Sequence, residues 1–420
     1  MRRTPKKHVP HVRPVKNIEV DTSDKGRKWK LVLIVLLLAV GITLIVSSIV
    51  KMVVTPPGWT TITTGASAEE SCSSDFLLQY LLGETGQAAN LEQREITQIY
   101  TQATREAFQI FHEERLFDGV NNVAYLNQHP NETVQVPSVL YQAFSMLQEY
   151  GNRAVFLAPV YQNYLGLFLS TEDAVAQLYD PAKDAETAAY IQQLLVFTGS
   201  QEHIRLELLG NDQVKLVVSQ EYLQFAQERE LTALVDFYWM KNAFIADYLA
   251  DVLIAAGHTN GMLSSFDGFN RNLDTTDRSY RINIFDRVGT DVYPAAAMEY
   301  TQVKTLVNLR NYPTSALAVQ LYYQWSDKHF TSCHIDPADG LSKTAVNDLL
   351  VYSRSLGCAQ VLLEAFPVYV ADELDKEAVA AMAQKGVESV YCQGRTLFAT
   401  DKAMNFTELF ESEDVIYKKQ

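Results

Sequence analysis

A mixed α/β fold (α+β), built as one large domain behind a single N-terminal apolar helix, is what the sequence predicts. Three observations point there. One uncharged apolar run stands alone near the N-terminus, helical periodicities and a β-hairpin alternation are interleaved through the remainder, and no internal repeat or low-complexity tract interrupts them. The chain has 420 residues, of which 47% are hydrophobic and 20% charged. That balance excludes a disordered or fibrous protein and suits one large or two modest globular units.

The apolar run is Leu31 to Val50. At 1.5 Å per helical residue it matches the roughly 30 Å hydrocarbon core of a bilayer. Lys51 and then Pro56-Pro57 follow it, with no small-residue cleavage site, so residues 31–53 are expected to be a retained transmembrane signal-anchor. Residues 1–30 carry ten Lys/Arg against Glu19, Asp21 and Asp24, a local surplus of +7 that leaves −22 on the rest of a chain whose total is −15. The basic tail is therefore expected in the cytoplasm and the acidic body outside, in a single-pass protein of the cell membrane. So acidic a body is a poor nucleic-acid partner. Residues 54–84, rich in Thr, Ser and Gly, read as a linker, and 85–420 as the folded domain. Four cysteines, Cys72, Cys333, Cys358 and Cys392, allow three full pairings in an exported domain, and their spacing forms no metal or redox motif.

Within the domain, Ile96, Ile99, Tyr100, Ala103, Ala107, Ile110 and Phe111 recur at helical spacing, which predicts a helix buried along that face, and Asn90 with Gln93 resembles a capping box. Pro137 opens a second helix with Leu140, Ala143, Phe144 and Leu147 on one face, and Gly151 is placed to close it. Ile204, Leu206 and Leu208 alternate with charged residues, Gly210-Asn211-Asp212 supplies a turn, and Val214, Leu216 and Val218 resume the alternation, which predicts a hairpin. A helix is expected from Asn242 to Ala256, stopped by Gly257, then a strand from Tyr280 to Phe285 and a helix from Lys376 to Gln384.

Common enzyme signatures are absent from the sequence: there is no P-loop, no G-x-G-x-x-G, no G-x-S-x-G, and His112-Glu113-Glu114 lacks a second histidine. The densest polar cluster is His329, Cys333, His334, Asp336 and Asp339. Its residue types could bind a metal or move protons, but Asp336-Pro337-Ala338-Asp339-Gly340 is also ordinary turn chemistry, and the turn is the stronger reading.

As a string, His334-Ile335-Asp336-Pro337-Ala338-Asp339-Gly340 resembles the H-I-I-D-P-x-T-G segment of the bacterial FAD:protein FMN transferase (ApbE-type) family. Other landmarks follow in order. Leu116–Asn127 with Val134-Gln135-Val136 is similar to the family's S-x-L-x-x-L-N segment and its downstream V-x-V. Asp236–Asp247 (DFYWMKNAFIAD) aligns without a gap to D-L-G-G-I-A-K-G-Y-A-x-D, and Asn260–Gly268 falls where the family has N-A-L-V-N-x-G-G-D. Thr314-Ser315 falls at T-S-G-D-Y, Ala359–Phe366 overlays A-D-A-L-S-T-A-L, and Gly386-Val387-Glu388 meets the closing strand. The resemblance covers roughly residues 85–405 and implies a flavin-transferase-like domain.

It also implies FAD and Mg²⁺ as cofactors, an exported flavoprotein as partner, a flavin site at Asp236, Asn242, Asp247, Thr314, Ser315, His334 and Asp336, and a metal position at Gln360 and Glu364. All are expected to converge on one cleft. The departures are specific. Tyr238 and Trp239 stand where the family has paired glycines, Asn242 stands for its lysine, and Gln360 and Glu364 stand for its metal-binding Asp and Thr. Two functions follow: Mg²⁺-dependent transfer of FMN from FAD to Ser/Thr of exported proteins, or a degenerate homologue on the same fold with weak or no transferase activity. The lost glycines, lysine and metal Asp favour the second.

Overall fold

The computed structural model describes residues 24–53, 55–274, 276–411 and 416–419. Most of the basic tail, through residue 23, lies outside them. The chain divides into two units, Met1–Thr55 and Pro56–Gln420. In the first, Asp24–Val53 is one helix, and its described side chains from Leu31 to Leu44 are nearly all exposed, Leu31 by 60% and Leu44 by 62%. Among the described residues no helix is long and apolar enough to cross a membrane; the side chains of the run from Ile45 onward lie outside the described residues.

The second unit is built on a nine-stranded sheet. Its order is Gly58–Ile62, Phe76–Leu82, Gly261–Ser265, Phe269–Asn272, Thr305–Arg310, Asp348–Ser353, Glu388–Gln393, Thr396–Ala399 and Lys418–Lys419. Every neighbouring pair is antiparallel except the last. The strands Thr305–Arg310 and Asp348–Ser353 are buried along nearly their whole length because both faces are covered. Val307, Leu309, Leu349 and Val351 enter one core with the helices, while Leu306, Leu350 and Tyr352 enter another beneath a three-stranded sheet of Tyr280–Val288, Asp291–Tyr300 and Asn405–Leu409. On the helical face, Lys241–Ala255 lies over the strands Gly261–Ser265 and Phe269–Asn272, between the helices Ala89–Phe111 and Cys358–Tyr369.

Several expected elements are found almost as read. They are the helices Ala89–Phe111, Ser138–Glu149, Lys241–Ala255 and Lys376–Gln384, and the hairpin Ile204–Gly210 with Gln213–Val218. Its turn takes positive φ at Gly210, Asn211 and Asp212, the backbone that Gly, Asn and Asp adopt most cheaply. Two expectations are corrected. The segment 54–84 is no linker, because Gly58–Ile62 and Phe76–Leu82 pair in the main sheet with Phe76, Leu78, Tyr80 and Leu82 buried in strict alternation. The capping box at Asn90 is also absent: the helix begins after Ala88, and the buried Glu92 instead accepts from Gly83 N at 2.7 Å and Thr85 Oγ1 at 3.1 Å. All four cysteines are buried and unpaired.

Candidate functional site

The site grows from the approach to the helix Lys241–Ala255. Asp236 accepts from Tyr238 N at 2.8 Å, and Val155 O accepts from Asp236 N at 2.9 Å. This local turn holds Tyr238 at φ +45°, a left-handed backbone costly for a bulky residue, at a position where the resemblance expects glycine. The Tyr238 ring stacks on Tyr161 with centroids 4.6 Å apart, and Trp239 stacks on Phe366 at 5.7 Å. One step further, Lys241 Nζ meets Glu113 Oε2 at 3.3 Å and Asn242 Nδ2 donates to Asp267 Oδ2 at 3.0 Å. Asp267 sits in the turn between Gly261–Ser265 and Phe269–Asn272. The next residue must be glycine, since at φ +106° a Cβ on Gly268 would fall 2.3 Å from Asn308 O.

These groups line a cavity of ≈ 250 Å³ together with Asp75 and Phe266. Five carboxylates, Asp75, Glu113, Glu114, Asp236 and Asp267, face one lysine. Burial pushes Asp267 up to about 7 and Asp236 up to about 6, with Glu113 adding to the rise at Asp236. Burial alone would lower Lys241, but Glu113 and Asp236 reverse it and hold the ammonium charged. Burial alone would raise Glu113, and Lys241 brings it below its ordinary value.

Of the flavin and metal positions expected from the sequence, only Asp236 and Asn242 reach this cavity, together with Tyr238 and Trp239 at the places of the paired glycines. His334 lies behind it, buried, its ring edge-on to Trp239 at 4.7 Å and its Nδ1 3.0 Å from Ser332 Oγ. Asp336 belongs to the turn: it accepts from Ala338 N at 2.9 Å and pairs with Lys343 Nζ at 3.3 Å, which also meets Asp339 and Asp372. Thr314 is exposed, and Ser315 Oγ accepts from Ala318 N at 3.3 Å. Asp247 caps the helix Cys358–Tyr369, accepting from Cys358 N at 2.8 Å and Ala359 N at 2.9 Å while Arg271 Nε donates to it at 3.1 Å. Gln360 shares a second cavity with Asp247 and accepts from Gly357 N at 3.4 Å; Glu364 instead pairs with Lys385 Nζ at 2.8 Å. The expected convergence on one cleft is thus corrected: order along the chain carries which element a residue sits on, not where its side chain points. Glu113, Lys241 and Asp267 were missed as site residues, and the Asp-Gly turn at 267–268 was the only local signal for the last.

The Asp247 cap gives a direct test. A Cβ on Gly357 would lie 2.5 Å from Asp247 Oδ2, so Gly357→Ala should push the carboxylate off both amides and off the buried Arg271. The loss of unfolding free energy in urea should be at least about 2 kcal/mol. A change below about 0.5 kcal/mol would show that the cap carries little.

No protein-family model and no curated protein sequence matches the chain. Solved structures similar to it include the ApbE protein of Thermotoga maritima, with 12% identity and a TM-score of 0.49 over 84% of this chain and 97% of that one. A mutant of the flavin transferase ApbE of Vibrio cholerae shares 14% identity at a TM-score of 0.46, covering 79% of this chain and 92% of that one. The apo flavinyl transferase ApbE of Pseudomonas stutzeri shares 14% at 0.44, covering 81% and 92%. These similar structures are ApbE proteins, the type that the sequence resembles.

Proposed function

We propose that the chain is a membrane-anchored, extracytoplasmic homologue of the FAD:protein FMN transferases whose flavin and metal motifs have degenerated and which transfers FMN weakly or not at all. The observation that carries this reading is the pair Gln360 and Glu364. Mg²⁺ is usually held through one or two carboxylates plus substrate phosphates in near-ideal octahedral geometry. Gln360 brings no charge, and the one carboxylate is neutralised by Lys385 at 2.8 Å. The residues present do not fit the metal. Nor does the cavity at Asp236 and Asn242 fit a dinucleotide. Its volume lies below the roughly 300 Å³ at which pockets for drug-sized ligands begin, and its carboxylates outnumber its single lysine, which repels a pyrophosphate.

The test is to incubate the purified full chain with FAD, Mg²⁺ and a Ser/Thr acceptor peptide and to weigh the peptide. No mass increase by FMN is expected. Robust transfer would restore the active enzyme.

Anchoring rests on the apolar exposed side chains of Leu31–Leu44, a surface larger than isolated soluble helices leave to water, and on the basic residues before it. External protease on intact cells should remove the acidic body, and protection of the whole chain would place the body inside.

A further inference from the structure

We propose that the cavity ahead of the helix Lys241–Ala255 binds a small organic cation with N–H donors, a primary ammonium or a guanidinium. This rests on the non-transferase reading above and gives that fold a ligand. The first argument is charge. Lys241, bound to Glu113, is the one cation among the lining residues, and Asp75, Glu114, Asp236 and Asp267 outnumber it. The second is hydrogen bonding. Asn242 is only 5% exposed and lines the cavity, yet its Oδ1 has no partner, and neither has Asp267 Oδ1 beside it. Buried acceptors are normally satisfied, and two adjacent orphans ask for a donor. The third is shape: Tyr161, Tyr238 and Trp239 supply aromatic walls suited to a desolvated cation, and the volume admits a small molecule only. An anion would meet like charge, and a neutral alcohol would leave the carboxylates unbalanced.

Binding should strengthen as pH rises. Burial holds Asp236 and Asp267 partly protonated near neutrality, and a cation favours their ionised forms. The other titratable groups facing the cavity are Asp75, Glu113, Glu114, Lys241, Tyr161 and Tyr238. An alkylammonium itself stays charged from pH 5.5 to 8, its pKa being near that of lysine, about 10.4.

The experiment is calorimetric titration of the full chain in a non-ionic detergent with butylammonium, butylguanidinium, tetramethylammonium and butanol. Saturable binding of at least one N–H cation is expected at pH 8, at least tenfold weaker at pH 5.5, at least tenfold weaker again to tetramethylammonium, and absent for butanol. Asp267→Asn should lose at least tenfold in affinity at pH 8. Asp236→Asn provides the same reading should the first variant fold poorly. A cavity that takes up water only, with no saturable heat from either N–H cation, overturns the proposal, as does equal binding of tetramethylammonium or butanol. Failure here leaves the non-transferase reading standing, whereas FMN transfer to a peptide would remove that reading whatever the amines do.

Discussion

Ile96→Asp is expected to cost the body at least about 4 kcal/mol of unfolding free energy, a large share of the usual 5–15 kcal/mol total. Ile96 is fully buried on the inner face of the helix Ala89–Phe111, which packs on Lys241–Ala255. The variant loses about 1.5–3 kcal/mol of isoleucine burial and also places a carboxylate without a partner in an apolar core, which costs several more. Ile99 looks equivalent by periodicity but is only partly buried, so Ile99→Asp should cost about 1–2 kcal/mol as its carboxylate swings to water. Urea unfolding followed by circular dichroism separates the two. An Ile96→Asp protein within about 1 kcal/mol of wild type would show that this helix does not close the core.

The contrast between Ile96 and Ile99 shows how far the sequence could be followed. Periodicity located the long helices and the hairpin at 204–218 because each buries one face and leaves the other wet, so the alternation of residue types carries the geometry. It could not locate Thr305–Arg310 or Asp348–Ser353, because with both faces covered their apolar residues show no alternation. Phe76–Leu82 was legible in principle, but the Thr- and Ser-rich residues before it masked the alternation. The site was less legible still. Asp236, Asn242 and Asp247 lie on one twelve-residue stretch, yet a helix turns successive side chains by about 100°. Asn242 and Asp247, five residues apart on the helix, therefore point about 140° apart, so that Asn242 reaches the cavity, with Asp236 in the turn before the helix, while Asp247 caps another helix. Glu113 and Asp267 enter from other elements, and only the tertiary fold brings them to Lys241 and Asn242.

Acidification is expected to destabilise the body through His334, and the effect is isolated by comparison with His334→Phe. The ring sits among Trp239, Tyr322 and Tyr369, and burial lowers its pKa from 6.5 to about 3. A histidine whose folded pKa lies below its unfolded value binds more protons when unfolded, so between about pH 3 and 6.5 stability falls as pH falls. At pH 4.5 the two units below the unfolded pKa correspond to about 2–3 kcal/mol. Asp236 and Asp267 work in the opposite direction. Their folded pKa values, about 6 and 7, lie above the unfolded value, so they favour the folded state as pH falls through the same window. The wild-type profile alone therefore mixes signs, and the difference between the two proteins is what reports His334. Phenylalanine fills the aromatic nest and gives up only the contact with Ser332 Oγ, which keeps Ser342 Oγ as a neighbour at 3.4 Å. At pH 7 the variant should lie within about 1.5 kcal/mol of wild type. By pH 4.5 the difference should have moved about 2–3 kcal/mol in favour of phenylalanine, measured as urea midpoints at both pH values with equal slopes. A difference that stays flat between pH 7 and 4.5 would mean that His334 takes up its proton in the folded protein, and that the space behind Trp239 is open to water.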